Sequence, residues 1–390
     1  MNHVVDFGKD FTCIKDQCPF TCCKGWGILI DDATYTRQKN ERGLLGARLR
    51  LFSYQNKAAE REVRFSADGR CPFFTGDRLC ELACKSREEL MPKICRIFPR
   101  RCIAYGDYRE VSLELACYEA ARLFVQRAAK QDTLGTIGYE QTDEATEAYF
   151  EVEHMDVELF AFFMRDRSRV LSYWDEHPGQ WRHSMKVIYE HTYVKQYVLG
   201  SDGVAAAEAL SIPLTKEQKE KIRVPEIAKM GTKYGLFSIS FLNKFIYGRL
   251  TASCTKARNP YMHRLIRHYK NQFGSLYEAA ADAVFEERME KMLSQKPELM
   301  HLFHAYFSYI LMQSYLEAQA DCYILGPVIK SMFHFCCLIL FVLVAYEEEE
   351  DLCEEELAKI ICSVEKAVRH SPSFSESVMD EVRKLFRGNM

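Results

Sequence analysis

The chain has 390 residues, 48% of them apolar, which is enough for two or three domains and a sizeable packed core. Its net charge of -3 excludes the strongly basic balance of a nucleic-acid binder. Charge and cysteine are nonetheless uneven: residues 1–117 hold 20 Lys and Arg against 16 Asp and Glu, and ten of the 16 cysteines. A basic segment is where thiolates or an anionic ligand would be balanced.

Taken in order, residues 1–30 show no helical period and hold the run Cys13-x4-Cys18-x3-Cys22-Cys23-x2-Trp26. Residues 26–30 read as a short extended segment, and Asp31-Asp32 opens a helix that Asp32 can cap. Residues 33–60 are mixed helix and loop, and residues 61–65 read as a strand. Asp68-Gly69 is a turn leading into Cys71-Pro72-Phe73-Phe74 and Leu79-Cys80. Residues 86–97 are helical with a break at Pro92, and Pro99 ends them because proline lacks a donor and crowds the preceding turn. They carry Cys95-Arg96-Ile97-Phe98-Pro99-Arg100. Gly106-Asp107 is another turn, and residues 113–128 are expected to be helical around Ser112-Leu113-Glu114-Leu115-Ala116-Cys117.

From about residue 140 onward apolar residues recur at helical spacing over 143–172, 276–293, 299–318, 328–346, 352–368 and 374–386. Residues 216–224 form a shorter helix, residues 236–247 are assigned as helix, and Gly200, Gly203 and Pro213 mark breaks. The segment 331–346 is apolar enough to raise a membrane question. It is shorter than a spanning helix needs, and Lys330, His334 and Glu347-Glu348-Glu349-Glu350-Asp351 flank or interrupt it, so a buried core helix is expected. The fold class predicted is mainly α: a Cys-rich, partly irregular domain over residues 1–125, binding a metal or cluster, packed on an α-helical domain over residues 140–390.

The N-terminus carries no apolar signal-peptide region, so a cytoplasmic protein is expected, and there thiols are not spent on disulfides. Clustered cytosolic thiols are soft metal ligands or redox groups. No Cys-x2-Cys knuckle is present, so a zinc ribbon is not indicated. Cys18, Cys22 or Cys23, Cys71, Cys80, Cys95 and Cys117 can close one site or two. Cys84 and Cys102 lack motif context and read as plain thiols. Cys254, Cys322, Cys336, Cys337, Cys353 and Cys362 read as core, as do Tyr306, Phe307, Tyr309 and Tyr315. His301 and His304 are taken as ordinary helix residues, and the acidic runs near 350 as solvated helix ends. There is no P-loop, no G-x-G-x-x-G after a strand, no G-x-S-x-G elbow and no H-E-x-x-H, so nothing supports a nucleotide-binding, Rossmann, hydrolase or zincin reading.

The four Cys blocks, in this order, resemble the bacterial flagellin lysine-N-methylases, within a wider set of CxxCxxCC zinc- or iron–sulfur-binding proteins. The resemblance covers residues 13–120, with an echo at Val368-Arg369-His370-Ser371, where Arg369 stands in place of the family's Glu. It implies transfer of methyl groups from S-adenosylmethionine to lysine side chains of flagellin, by a cytoplasmic enzyme holding a [4Fe-4S] cluster. It places Cys18, Cys22, Cys23, Cys71, Cys80, Cys95 and Cys117 as metal ligands, with Cys13 as a further position, and Trp26, Arg96 and Arg100 as accompanying cofactor-binding residues. Arg96, Arg100 and Arg101 can bind a carboxylate or balance thiolate charge. The chain has Cys18-x3-Cys22 followed at once by Cys23, unlike the Cys-x3-Cys-x2-Cys of radical enzymes. Two further readings stay open: a non-catalytic zinc or iron–sulfur module that binds a partner, and a redox or metal-delivery protein. No nucleic-acid partner and no membrane span are expected.

Overall fold

The computed structural model describes residues 2–24, 27–56, 58–76, 79–130, 139–142, 148, 150–152, 155–222, 224, 238–255, 259–274, 278–348 and 352–369. Trp26, His370 and the helix expected over 374–386 lie outside the described residues.

The N-terminal part is irregular, as expected, but it is built on strands. After β1 (Asn2–Val5) and a 3-10 turn (Lys15–Gln17) come α1 (Asp32–Asn40) and α2 (Gly43–Leu51). The cap of α1 is Asp31 rather than Asp32; its carboxylate accepts from Thr34 N at 2.9 Å. Next are β2 (Ser53–Gln55), β3 (Arg61–Val63), α3 (Glu81–Cys84), a 3-10 turn (Glu88–Leu90) and α4 (Lys93–Ile97), so Pro92 does divide the helical stretch. β4 (Arg100–Tyr105) and β5 (Tyr108–Leu113) form a hairpin about Gly106-Asp107, and α5 (Tyr118–Ala129) follows. The helix expected from residue 113 therefore starts five residues later, because Arg100–Leu113 pair across the hairpin and Leu113 stays in the ladder.

β6 (Tyr139–Thr142) and β7 (Phe150–Val152) complete a five-stranded sheet of order β6-β1-β5-β4-β7. β1 and β5 are parallel, as are β4 and β7, while the remaining pairs are antiparallel. Two strands beyond residue 138 correct the expectation of an almost wholly helical remainder. These short edge segments satisfy their backbone groups only by pairing with β1 and β4, which local periodicity does not show.

The rest is helical: α6 (Val157–Asp175), α7 (Trp181–Glu208), α8 (Lys216–Lys221), α9 (Ile239–Phe245), a π turn (Ile246–Leu250), α10 (Thr251–Ser253), α11 (Pro260–Phe273), α12 (Glu278–Gln295), α13 (Leu299–Tyr315), a 3-10 turn (Leu316–Gln319), α14 (Leu325–Glu347) and α15 (Glu354–Val368). α7 runs on through Gly200 and kinks at Gly203, whose φ of 83° a side chain would resist. α13 and α14 are buried nearly all round and pack on each other, as a helix without a polar face must. α14 is long and apolar enough to cross a membrane, but 94% of its most apolar window lies inside the protein. Tyr306, Phe307, Tyr309 and Tyr315 are core residues, as expected.

One apolar cluster joins Val5, Phe7 and Phe124 to Tyr309, Phe335 and Ile361, so the N-terminal strand and α5 share a core with the last helices. α6 fixes the sheet as well: Ile103 and Tyr105 of β4 pack with its Phe162 and Phe163. Buried Arg167 of α6 donates to both carboxylate oxygens of Glu110 on β5, one at 2.9 Å.

Candidate metal centre

Five thiols from four separate short elements line one pocket: Cys22, Cys23, Cys71, Cys80 and Cys95. Each arrives by a local constraint. Cys22 and Cys23 sit in a turn where Cys23 N donates to Thr21 Oγ1 at 3.1 Å. A bridge between Lys24 and Arg70, with Cys71 N donating to Cys23 O at 2.9 Å, fixes Cys71 beside them. The chain then turns back, Phe74 bridges to Cys80, and Glu81 N donates to Phe73 O at 2.7 Å, which sets Cys80 at the start of α3. Arg48 of α2 clamps this turn, pairing with Glu81 at 2.8 Å and donating to Pro72 O at 3.0 Å.

Cys95 is placed by Asp31. One carboxylate oxygen caps α1; the other accepts from Lys93 N at 2.8 Å, in the first turn of α4. Partial burial would raise this carboxyl, but the backbone N–H groups of Lys93 and Thr34 outweigh it and hold it below its usual value. Gln38 Nε2 donating to Leu90 O at 2.7 Å ties α1 to the preceding turn. The sequence reading missed Asp31 as an organiser of the site; an acidic residue opening a helix looks the same whether it caps one helix or two.

The pocket opens to solvent at its mouth, and its remaining wall is almost wholly apolar, including Ile28, Ile30, Leu49, Val63, Phe73 and Phe98. Bare thiolates are costly there. Burial pushes Cys71 up to about 11 and Cys95 well above its ordinary value. Cys22, Cys23 and Cys80 behave differently because they touch. Contact with the Cys23 thiol lowers Cys22 to about 7 and Cys80 to about 6, while Cys23 itself is held strongly protonated between them. Backbone N–H groups of Ala83 and Leu82 add to the effect at Cys80.

These shifts give a direct expectation for the metal-stripped protein. A lowered thiol pKa means more thiolate, the alkylating form, at neutral pH. Cys80 and Cys22 should reach half-maximal iodoacetamide labelling near pH 6 and 7, with Cys71 and Cys95 unlabelled until the solution is alkaline. Cys23→Ala should move the Cys22 and Cys80 profiles upward. Identical profiles for all five thiols, read by peptide mass spectrometry, would contradict this arrangement.

Among the described residues, no three His, Cys, Asp or Glu groups stand in ligating arrangement, so binding requires rotation of thiols that already share a wall. The donor chemistry fits a thiophilic metal or an iron–sulfur cluster: soft sulfur, two readily ionised members, and an apolar shell that strengthens a thiolate–metal bond. A single ion needs four of the five thiols.

The other expected site residues fall elsewhere. Cys18 and Cys117 do not line this pocket; Cys117 is the residue before α5. Arg96 donates to Met91 O at 2.7 Å, and Arg100 donates to Phe11 O at 3.2 Å with its guanidinium over the Phe11 ring. Arg101 pairs with Glu317 at 3.1 Å and with Glu114 at 3.6 Å. Neither Arg96 nor Arg100 is on the pocket wall. Cys102 is buried in the sheet and Cys84 is exposed. Cys322 and Cys353, expected in the core, are exposed because they sit just outside helix ends; Cys254, Cys336, Cys337 and Cys362 are buried as expected. His304 has an acidic partner after all, Asp175 at 3.0 Å, and stacks on Trp174.

No family model matches the chain, and no solved structure matches it. Curated relatives do. The flagellar biosynthetic protein FliU of Salmonella muenchen is 32% identical over 119 residues, 29% of this chain and 70% of that protein. Lysine-N-methylases of Salmonella choleraesuis strain SC-B67 and Salmonella typhimurium strain LT2 are also 32% identical over 119 residues, which span only 29% of each of those proteins. The chain belongs to the family of flagellar FliU and lysine-N-methylase proteins.

Proposed function

We propose that this protein is a cytoplasmic lysine N-methyltransferase that uses S-adenosylmethionine to methylate side chains of flagellin, and that its thiol pocket holds a [4Fe-4S] cluster. The observation that carries the reading is the gathering of Cys22, Cys23, Cys71, Cys80 and Cys95 on one wall, in a chain related to proteins named lysine-N-methylase. In the transfer, the sulfonium C–S bond breaks as the N–C bond forms. The attacking lysine must first lose its ammonium proton, which an apolar surrounding favours. A bound cluster would supply a rigid cross-link among the four elements and an electron-rich iron–sulfur centre beside the pocket mouth. The chain's own part is to orient the thiols through Asp31, Arg48 and the Cys23–Cys71 backbone bond, and to keep water from the wall.

A second reading has its own support. Arg96 and Arg100, the side chains expected to bind the cofactor carboxylate, are engaged with backbone carbonyls away from the pocket. That favours a structural centre, zinc or cluster, with any methyl transfer occurring at another part of the chain, or a module that binds a partner without catalysis. Mass spectrometry of flagellin co-expressed with and without this protein tests the proposal. Methylated lysines that appear only with the protein support it; identical flagellin masses overturn it. Iron and sulfide content of anaerobically prepared protein separates cluster from zinc.

A further inference from the structure

We infer that the outward side of α2 is a docking surface for an amphipathic helix of the protein substrate, one whose apolar stripe is bordered by acidic residues. The inference rests on the proposed reading that the substrate is a protein. α2 is apolar on two sides. Its inner side is spent on the pocket: Leu49 is 2% exposed, lines the pocket wall and packs with Phe73, Leu82 and Met91. Its outer side faces solvent: Leu44 is 81% exposed and Leu51 66%, with exposed Ala47 between them. At i, i+3 and i+7 these three residues share one stripe. Single exposed leucines are ordinary on a protein surface. A stripe of them on a helix whose other side is already buried is the pattern of a face that a partner covers.

Charge selects the occupant. Arg50 Nη1 donates to Lys39 O at 3.2 Å and to Glu41 O at 2.9 Å. This brings its guanidinium back to the N-terminal end of α2, beside Lys39 and Arg42, and all three residues are exposed. Among the described residues, no carboxylate pairs with Lys39, Arg42 or Arg50. The acids joined to this helix are already neutralised: Glu41 pairs with Arg87 at 2.6 Å, and Glu81 with Arg48 at 2.8 Å. One end of the apolar stripe therefore carries three uncompensated positive charges. A helix that lays apolar side chains on the stripe, with Asp or Glu beside them, satisfies both features at once. Leu49 and Phe52 of α2 line the pocket, so a partner on the outer side lies about 10 Å, one helix diameter, from the pocket wall. Docking there holds the substrate beside the thiol centre without filling the pocket itself.

The test variant is Leu44→Glu/Leu51→Glu; both side chains are exposed, so its urea midpoint and metal content should match those of the wild type. The probes are flagellin and a designed helical peptide with a leucine stripe bordered by glutamates or, in a second version, by lysines. The full-length protein should bind the glutamate peptide, and affinity should be about tenfold or more weaker for the variant and for the lysine peptide. Lys39→Glu/Arg42→Glu should reverse the peptide preference and flatten its salt dependence. Flagellin co-expressed with Leu44→Glu/Leu51→Glu should carry about a tenth or less of the wild-type methylation by mass spectrometry. Val157→Glu, at a similarly exposed apolar position on α6, should leave binding and methylation unchanged. Undiminished peptide affinity or full flagellin methylation with Leu44→Glu/Leu51→Glu overturns the docking surface. So does a dimer, or binding to anionic lipid vesicles, that this variant alone abolishes, because the stripe then serves a second copy or a membrane. If the wild type leaves flagellin unmethylated, the proposed function falls separately, and the peptide decides the docking surface alone.

Discussion

Cys95→Ser should lose bound metal and flagellin methylation in parallel. Cys95 is held in its protonated form when bare, because burial and the neighbouring Cys22, Cys71 and Cys80 all oppose its charge. A metal removes that penalty by neutralising the thiolate, so ligation and local folding are linked. Serine keeps the shape but offers a hard oxygen that stays protonated at neutral pH. The four elements around the pocket then lose their common cross-link. Cys336→Ser is the matched control. Cys336 is the more deeply buried of the two, in α14, where a hydroxyl can turn to a carbonyl of the preceding turn, at about 1 kcal/mol. Metal analysis and flagellin mass spectrometry on both variants decide the matter. Metal retained by Cys95→Ser would move the centre elsewhere. Metal lost with methylation intact would make the centre structural and direct the search for the S-adenosylmethionine site to the helical part.

The thiol blocks were legible because a cysteine needs no periodicity to be noticed; their partition was not. Cys71 and Cys80 meet Cys23 through isolated bridges and turn bonds, contacts that leave no trace in local spacing. Cys362 was read as core because it lies on the apolar face of α15, and it is buried; that this face meets Ala116 and Cys117 is a tertiary fact. α12 to α15 followed from apolar residues at helical spacing, whereas α7 and α11 were not singled out, and Gly200, read as a break, lies inside α7. The sheet did not. β4 and β5 are both buried along most of their length, so their alternation is blurred, and Leu113 to Ala116 suit a helix until Pro99 O and Tyr309 claim their backbone groups. The arginines after Cys95 show the opposite lesson. Their spacing beside thiols suggested an anion site, yet guanidinium groups also serve as clamps on carbonyls, and the two uses look alike in sequence.

Arg369→Ala should be strongly destabilising. Arg369 stands at the centre of a buried network that fixes the segment leading to Cys117. It pairs with Glu114 at 3.2 Å and Glu365 at 3.8 Å, and donates to Gln313 Oε1 at 2.6 Å. Glu114 also faces Arg101, which reaches Glu317, itself paired with Lys330 at 3.2 Å. Burial alone would raise the Glu365 carboxyl; His334, Arg369 and the Tyr306 hydroxyl outweigh it and hold it near 2. Removing Arg369 leaves two carboxylates buried with a shared counter-charge gone, a loss of about 3–5 kcal/mol by the usual cost of breaking a buried pair. Urea unfolding should show it as a lower midpoint. Glu365→Gln in the Arg369→Ala background should recover part of the loss, because the two changes act on one network. The pH dependence carries a sign. A carboxyl whose folded value is depressed adds stability that is complete above its unfolded value, about 4.3, and is lost as pH falls through the folded one. Asp166, held near 2 against its own burial by His191 and Lys195, adds to the same window. Wild-type stability should therefore fall steeply between about pH 4.3 and about pH 2, and Glu365→Gln should flatten that fall. Equal urea midpoints for Arg369→Ala and the wild type at neutral pH would show that the network contributes no net stability.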